Sequence, residues 1–115
     1  MAEFMTGLKR TNYCGELRES HVGEEVILCG WVQKQRDLGQ LVFVDLRDRT
    51  GITQLAFDDS TDREIFAKAQ SLRSEYVVCA KGTVRERSAK NKDIPTGDVE
   101  LFVTLGAGDI DRFVG

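Results

Sequence analysis

The chain has 115 residues, of which 41% are hydrophobic, and its 16 Lys and Arg against 19 Asp and Glu give a net charge of −3. One compact domain with an ordinary core is expected, and the charge balance excludes a bulk polyanion binder of the basic-tail kind. No apolar run is long enough to span a membrane and the first residues lack the apolar segment of a signal peptide, so a cytoplasmic protein is expected.

Residues 1–13 read as an N-terminal extension, and a short helical turn is expected over 14–19. A first strand over about 26–36 turns Val26, Leu28, Gly30 and Val32 to one face. Glycine inside a strand marks a bend or a close backbone approach. Asp37-Leu38-Gly39-Gln40 reads as a hairpin turn, leading to a second strand over about 41–47. Asp48-Arg49-Thr50-Gly51 is the next turn, in which Arg47, Asp48 and Asp45 are expected as stabilising ion pairs. The third strand covers about 52–57. Then the period changes: Ile65, Ala69 and Leu72 recur at helical spacing beside Phe66, with Asp62 or Thr61 as the cap. A fourth strand runs over about 76–87, a polar loop over 88–97 holds the only proline, and a fifth strand covers about 98–104. Residues 105–115 form a tail outside this pattern.

Three strands, a helix and two strands are the order of the OB-fold, an all-β, five-stranded Greek-key barrel with one helix between strands three and four. Such barrels bind single-stranded nucleic acid or sugars on the face around strands two and three.

Side chains alternate between the faces of a strand. In the second strand Val42, Val44 and Leu46 share the buried side, leaving Phe43 with Asp45 and Arg47 on the other. An aromatic on a polar face close to arginines suits the stacking of an unpaired base; packing under a loop is the other reading. Gln54 on the neighbouring strand carries donors and acceptors for a base edge, or is a solvated strand position. Glu100, outward on the fifth strand, can accept from guanine N1–H and its exocyclic amine, or is an exposed acid. Arg36 and Arg87 suit phosphate or the acceptor edge of cytosine. Asn91 lies in the loop before the last strand. Lys34, Arg36, Arg47 and Arg49 form one basic cluster and Lys81, Arg85, Arg87, Lys90 and Lys92 another.

No catalytic group, cofactor or metal site is expected in this chain. His21 is the only histidine, and its neighbour Ser20 does not make a dyad with it. P-loop and HExxH motifs are lacking. Cys14, Cys29 and Cys79 are odd in number, widely spaced and without a CxxC pair, which argues against a disulfide framework and against zinc. Two are expected as small core residues and one near the N-terminus.

The segments CGELR, CGWVQKQRDLGQLVFVDLRDRTGITQ, SLRSEYVVCAKGTVRER and PTGDVE resemble, in register from about Lys9 to Thr104, the N-terminal anticodon-binding domain of bacterial aspartyl-tRNA synthetases. Lysyl- and asparaginyl-tRNA synthetases share the layout; the RDLG and FVDLRDR wording is most similar to the aspartyl branch. The resemblance implies an OB-fold over 14–104 that grips a tRNA anticodon loop reading G-U-C. It implies that Phe43 stacks on an anticodon base, Gln54 reads the central uracil and Glu100 recognises the first-position guanine. Arg36, Arg87 and Asn91 would contact bases or nearby backbone. ATP, Mg and the aspartate site belong to the family's larger C-terminal region. Full-length relatives are homodimers, and this chain alone is expected as a monomer. A generic single-strand binder and a non-catalytic fragment with no nucleic-acid role are the competing readings.

Overall fold

The computed structural model describes residues 11–61 and 63–105. Five strands, β1 (Glu25–Asp37), β2 (Val42–Asp48), β3 (Gly51–Phe57), β4 (Val77–Glu86) and β5 (Val99–Leu105), close into a barrel in the order β1-β2-β3-β5-β4. All neighbours are antiparallel except β3 and β5. The helix α1 (Arg63–Ser71) lies between β3 and β4, as its apolar spacing predicts, with Ala69, and Leu72 just past its end, in the core and Ile65 and Phe66 packed against it.

The alternation of apolar residues decides which face of each strand turns inward. Val26, Leu28 and Val32 of β1 and Val42, Val44 and Leu46 of β2 are buried together. Leu55, Val78, Ala80, Val84, Val99, Leu101 and Val103 complete the barrel interior. The close approach expected at Gly30 is real: a Cβ there would collide with the carbonyl oxygen of Arg47 across the β1–β2 ladder.

Several local expectations need correction. The helical turn expected over 14–19 is a short 3-10 segment at Glu19–His21. Thr11, within the expected N-terminal extension over 1–13, is tied to β1, since its N–H donates to the Ile27 carbonyl at 2.9 Å and the Ile27 N–H donates to Thr11 Oγ1 at 2.8 Å. Thr61 Oγ1 accepts from the Asp58 N–H at 2.9 Å. Leu105, expected to open the tail over 105–115, still belongs to β5; Asp62 and residues 106–115 lie outside the described residues.

Cys29 and Cys79 stand directly opposite each other in the β1–β4 ladder, with Cα atoms 4.0 Å apart, and are joined by a disulfide. Counting cysteines and their spacing could not reveal this. The two residues are 50 apart in sequence, and only the strand register brings them together.

Asp48 works in its turn by hydrogen bonds. Its Oδ1 accepts from the Thr50 N–H at 2.7 Å and hydroxyl at 2.6 Å, while Oδ2 accepts from the Cys14 N–H at 2.8 Å. Burial pushes the Asp48 carboxyl up, but these bonds outweigh it and hold the group below the ordinary value of 3.8. Asp48→Asn turns an NH2 toward an N–H it cannot accept from. A loss of about 1–3 kcal/mol is expected for the donor left unpaired, read as a lower Tm in thermal melts. A depressed carboxyl contributes stability that is complete above the unfolded-state value and is lost as pH falls through the folded one. The gap between wild type and Asp48→Asn should therefore narrow below about pH 4.

Candidate nucleic-acid interface

Outward side chains on paired strands line up in rows across a sheet. One row joins Arg36, Phe43, Ala56, Phe102 and Thr83; the next joins Lys34, Asp45, Gln54, Glu100 and Arg85. The buried Ala56 separates two half-buried aromatic rings. Each ring carries an arginine: the Arg36 guanidinium lies 5.2 Å from the Phe43 centroid and that of Arg85 4.5 Å from the Phe102 centroid.

The polar row links these two stacks. Arg36 Nη2 donates to Gln54 Oε1 at 2.9 Å, Gln54 Nε2 donates to Glu100 Oε1 at 2.8 Å, and Arg85 Nε donates to Glu100 Oε2 at 2.6 Å. Gln54 and Glu100 are only 4% and 6% exposed, so the readings as a solvated glutamine and an exposed acid do not hold. A buried carboxylate needs partners for its charge, and the register supplies them by setting Arg85 and Gln54 on either side of Glu100.

Beside this chain of bonds lies a cavity of about 320 Å³, lined by Arg36, Gln54, Arg87 and Asn91 together with Gln33, Lys34, Asp45, Ile52 and Ile94. Four of the candidate residues thus share one wall, and Phe43 and Glu100 adjoin it through their rows. The loop before β5 is fixed here by its own bonds. The Asn91 N–H donates to the Gly97 carbonyl at 2.9 Å, the Gly97 N–H to the Ile94 carbonyl at 3.0 Å, and the Thr96 hydroxyl to the carbonyl of Ile52 on β3. Asn91 Oδ1 accepts from the Asp93 N–H at 2.9 Å, which leaves its NH2 to donate elsewhere. Among the described residues Arg87 Nε is buried without a hydrogen-bond partner. An unpaired buried donor is costly, and beside a cavity it offers a ligand acceptor a place to bind.

Sequence reasoning singled out neither Arg85 nor Phe102 as site residues, although both lie on the expected outward faces. The period-two pattern that placed Glu100 outward also placed Phe102 there, and Arg85 shares its phase with Arg87. What was missing was the β4–β5 register that brings Arg85 to Glu100. Asp58 was missed too: its Oδ2 lies 3.8 Å from Arg85 Nη1. Burial raises the Asp58 carboxyl, but bonds from Ser60 and the charge of Arg85 bring it below its ordinary value.

Residues 26–104 match a tRNA anticodon family model, described as an OB-fold nucleic acid binding domain. The chain belongs to this family. Over 106 residues it is 54% identical to the aspartate–tRNA ligase of Ruminiclostridium cellulolyticum, covering 90% of this chain and 18% of that protein. The chain therefore spans less than a fifth of that relative's length. Among solved structures, aspartyl-tRNA synthetase from Entamoeba histolytica superposes with a TM-score of 0.75 at 25% identity, covering 93% of this chain and 23% of the other. An OBody bound to hen egg-white lysozyme superposes with a TM-score of 0.77 at 27% identity, covering 87% of this chain and 93% of the other. The anticodon-binding OB domain of aspartate–tRNA ligases is thus the part of those proteins that this chain reproduces.

Proposed function

We propose that this domain reads the anticodon loop of an aspartate-type tRNA, G-U-C, on behalf of an aspartate–tRNA ligase. The ligase chemistry, with its ATP and Mg, is assigned to the large remainder of such a protein and to no residue of these 115. Phe43 stacks an unpaired base, Gln54 reads the uracil, Glu100 the guanine, and Arg36, Arg87 and Asn91 hold adjacent base or backbone oxygens.

The observation that carries this reading is the bonding of Gln54. A side-chain amide has two donor hydrogens and two acceptor lone pairs. Arg36 uses one acceptor and Glu100 one donor, leaving one of each. Uracil presents an acceptor, O4, beside a donor, N3–H, which is the complement. A generic single-strand binder needs only charge and stacking. Burying a fixed amide–carboxylate pair under such a surface costs desolvation that base selection would repay.

The test is a titration at low salt of a labelled stem-loop carrying G-U-C against the same loop with cytosine at the centre. Cytosine inverts donor and acceptor at this edge, so weakening by about 1–3 kcal/mol is expected. Equal affinity for both loops would establish the generic strand binder instead. Binding to neither would leave the domain without an RNA role of its own.

A further inference from the structure

We propose that Arg85 is a positioning residue for base selection: it holds the Glu100 carboxylate in the orientation that guanine requires. The inference rests on the anticodon reading above and extends it to a residue outside the base-reading set.

Arg85 is held on three sides. Its Nε donates to Glu100 Oε2 at 2.6 Å, its Nη1 lies 3.8 Å from Asp58 Oδ2, and its guanidinium plane sits 4.5 Å from the Phe102 ring centroid. Asp58 is itself fixed, because its Oδ1 accepts from the Ser60 N–H at 2.9 Å and hydroxyl at 2.6 Å. The side chain is still 40% exposed, so these contacts, not burial, restrain it.

An ionised carboxylate offers about four lone-pair sites, two on each oxygen. Gln54 occupies one on Oε1 and Arg85 one on Oε2, so each oxygen keeps one. Guanine presents two adjacent donors, N1–H and the exocyclic amine, to such a pair. Without Arg85 the carboxylate is tethered through Oε1 alone and can rotate, which loosens the two-point match while leaving a negative charge in place. Lysine is not a substitute: its ammonium is a point charge without the planar fork that bonds one carboxylate, faces another and lies on a ring.

The experiment measures the ratio of affinities for a stem-loop with guanine at the first anticodon position and one with inosine there, which lacks the exocyclic amine. Wild type, Arg85→Met, Arg85→Lys and Phe102→Leu are compared, with thermal melts confirming that each is folded. Wild type is expected to prefer guanine by about tenfold. Arg85→Met and Arg85→Lys should bring the ratio to within about twofold of unity, and Phe102→Leu, which removes the ring beneath Arg85, should lower it in part. If Arg85 merely attracts phosphate, every loop weakens equally, the ratio stays at its wild-type value and Lys restores affinity; that result overturns the proposal. Should Arg85→Met not fold, the unchanged or collapsed ratio in Arg85→Lys and Phe102→Leu decides in the same way. A wild-type protein that binds guanine and inosine loops alike has no Glu100 contact for Arg85 to position, which overturns this proposal and leaves the reading of the central uracil standing; one that binds no loop overturns the anticodon reading, and the role of Arg85 falls with it.

Discussion

Gly82→Ala should destabilise the barrel severely and fold poorly. Gly82 lies on β4 where the β4–β5 register shifts, pairing with Val103 while Lys81 pairs with Leu105. A Cβ at this position would collide with the Phe102 carbonyl oxygen and stand 2.8 Å from the Phe102 carbonyl carbon and 2.9 Å from Val103 Cα. All three obstacles are backbone atoms, so no rotamer change clears the space. Overpacking that side chains can relieve costs about 1–3 kcal/mol; with the β5 main chain as the obstacle, the loss should reach at least the top of that range. For a domain this small, about 3 kcal/mol corresponds to a fall in Tm of about 12–24 °C. That is a large part of the ~5–15 kcal/mol by which a typical domain is stable. Glu86→Ala, on the same strand with a side chain 61% exposed, should stay within about 0.5 kcal/mol. Thermal melts by circular dichroism compare them, and a Gly82→Ala barrel melting within about 4 °C of wild type would show that β5 can move aside. The functional consequence follows from the register. The same β4–β5 ladder sets Arg85 opposite Glu100, so a displaced β5 uncouples the polar row even where the barrel survives.

The order of elements was legible because each apolar set keeps one period: Val42, Val44 and Leu46 at two, Ile65, Ala69 and Leu72 at helical spacing. The same alternation put Phe43, Gln54 and Glu100 outward, where the structure has them. It could not show that outward differs from exposed. Gln54 and Glu100 are closed off by Arg36 and Arg85, which arrive from β1 and β4. That closure depends on barrel formation, a long-range event that local pattern does not contain. The Cys29–Cys79 bond was hidden for the same reason, since a cross-strand pair is a property of register. Arg85 and Asp58 were obscured differently: charged residues near a turn or strand end usually face water, and it takes the bonds of Ser60 to Asp58 and the Glu100 carboxylate and Phe102 ring at Arg85 to give these two a fixed place. The resemblance to aspartyl-tRNA synthetases named the groups that would touch RNA. It did not name the groups that hold them.

Phe43→Ala should abolish most of the affinity for an anticodon stem-loop while the barrel stays folded. The ring is half-buried on the outer face of β2, and its neighbours there are the Arg36 guanidinium at 5.2 Å and the small side chain of Ala56. Base–aromatic stacking is worth about 1–3 kcal/mol per base. A cation–π contact at an exposed site is worth about 0.5–1 kcal/mol, so a base that displaces Arg36 from the ring still gains by the exchange. Arg36 is also bonded to Gln54 and lines the cavity, so losing the ring does not leave it without a partner. Phe43→Leu separates stacking from packing, because leucine retains apolar bulk over Ala56 but has no π-face. Both variants should weaken binding by about 1–3 kcal/mol, and Phe43→Trp should restore it, since any aromatic face serves. The dependence of affinity on salt should be nearly the same in all of them, because that slope is set by the Arg and Lys side chains that neutralise phosphates, and a phenylalanine carries no charge. Should Phe43→Leu bind within about twofold of wild type, Phe43 is a packing residue and the base must be held by the polar row alone. A loss in Phe43→Leu that Phe43→Trp recovers, at constant salt slope, leaves stacking as the remaining explanation.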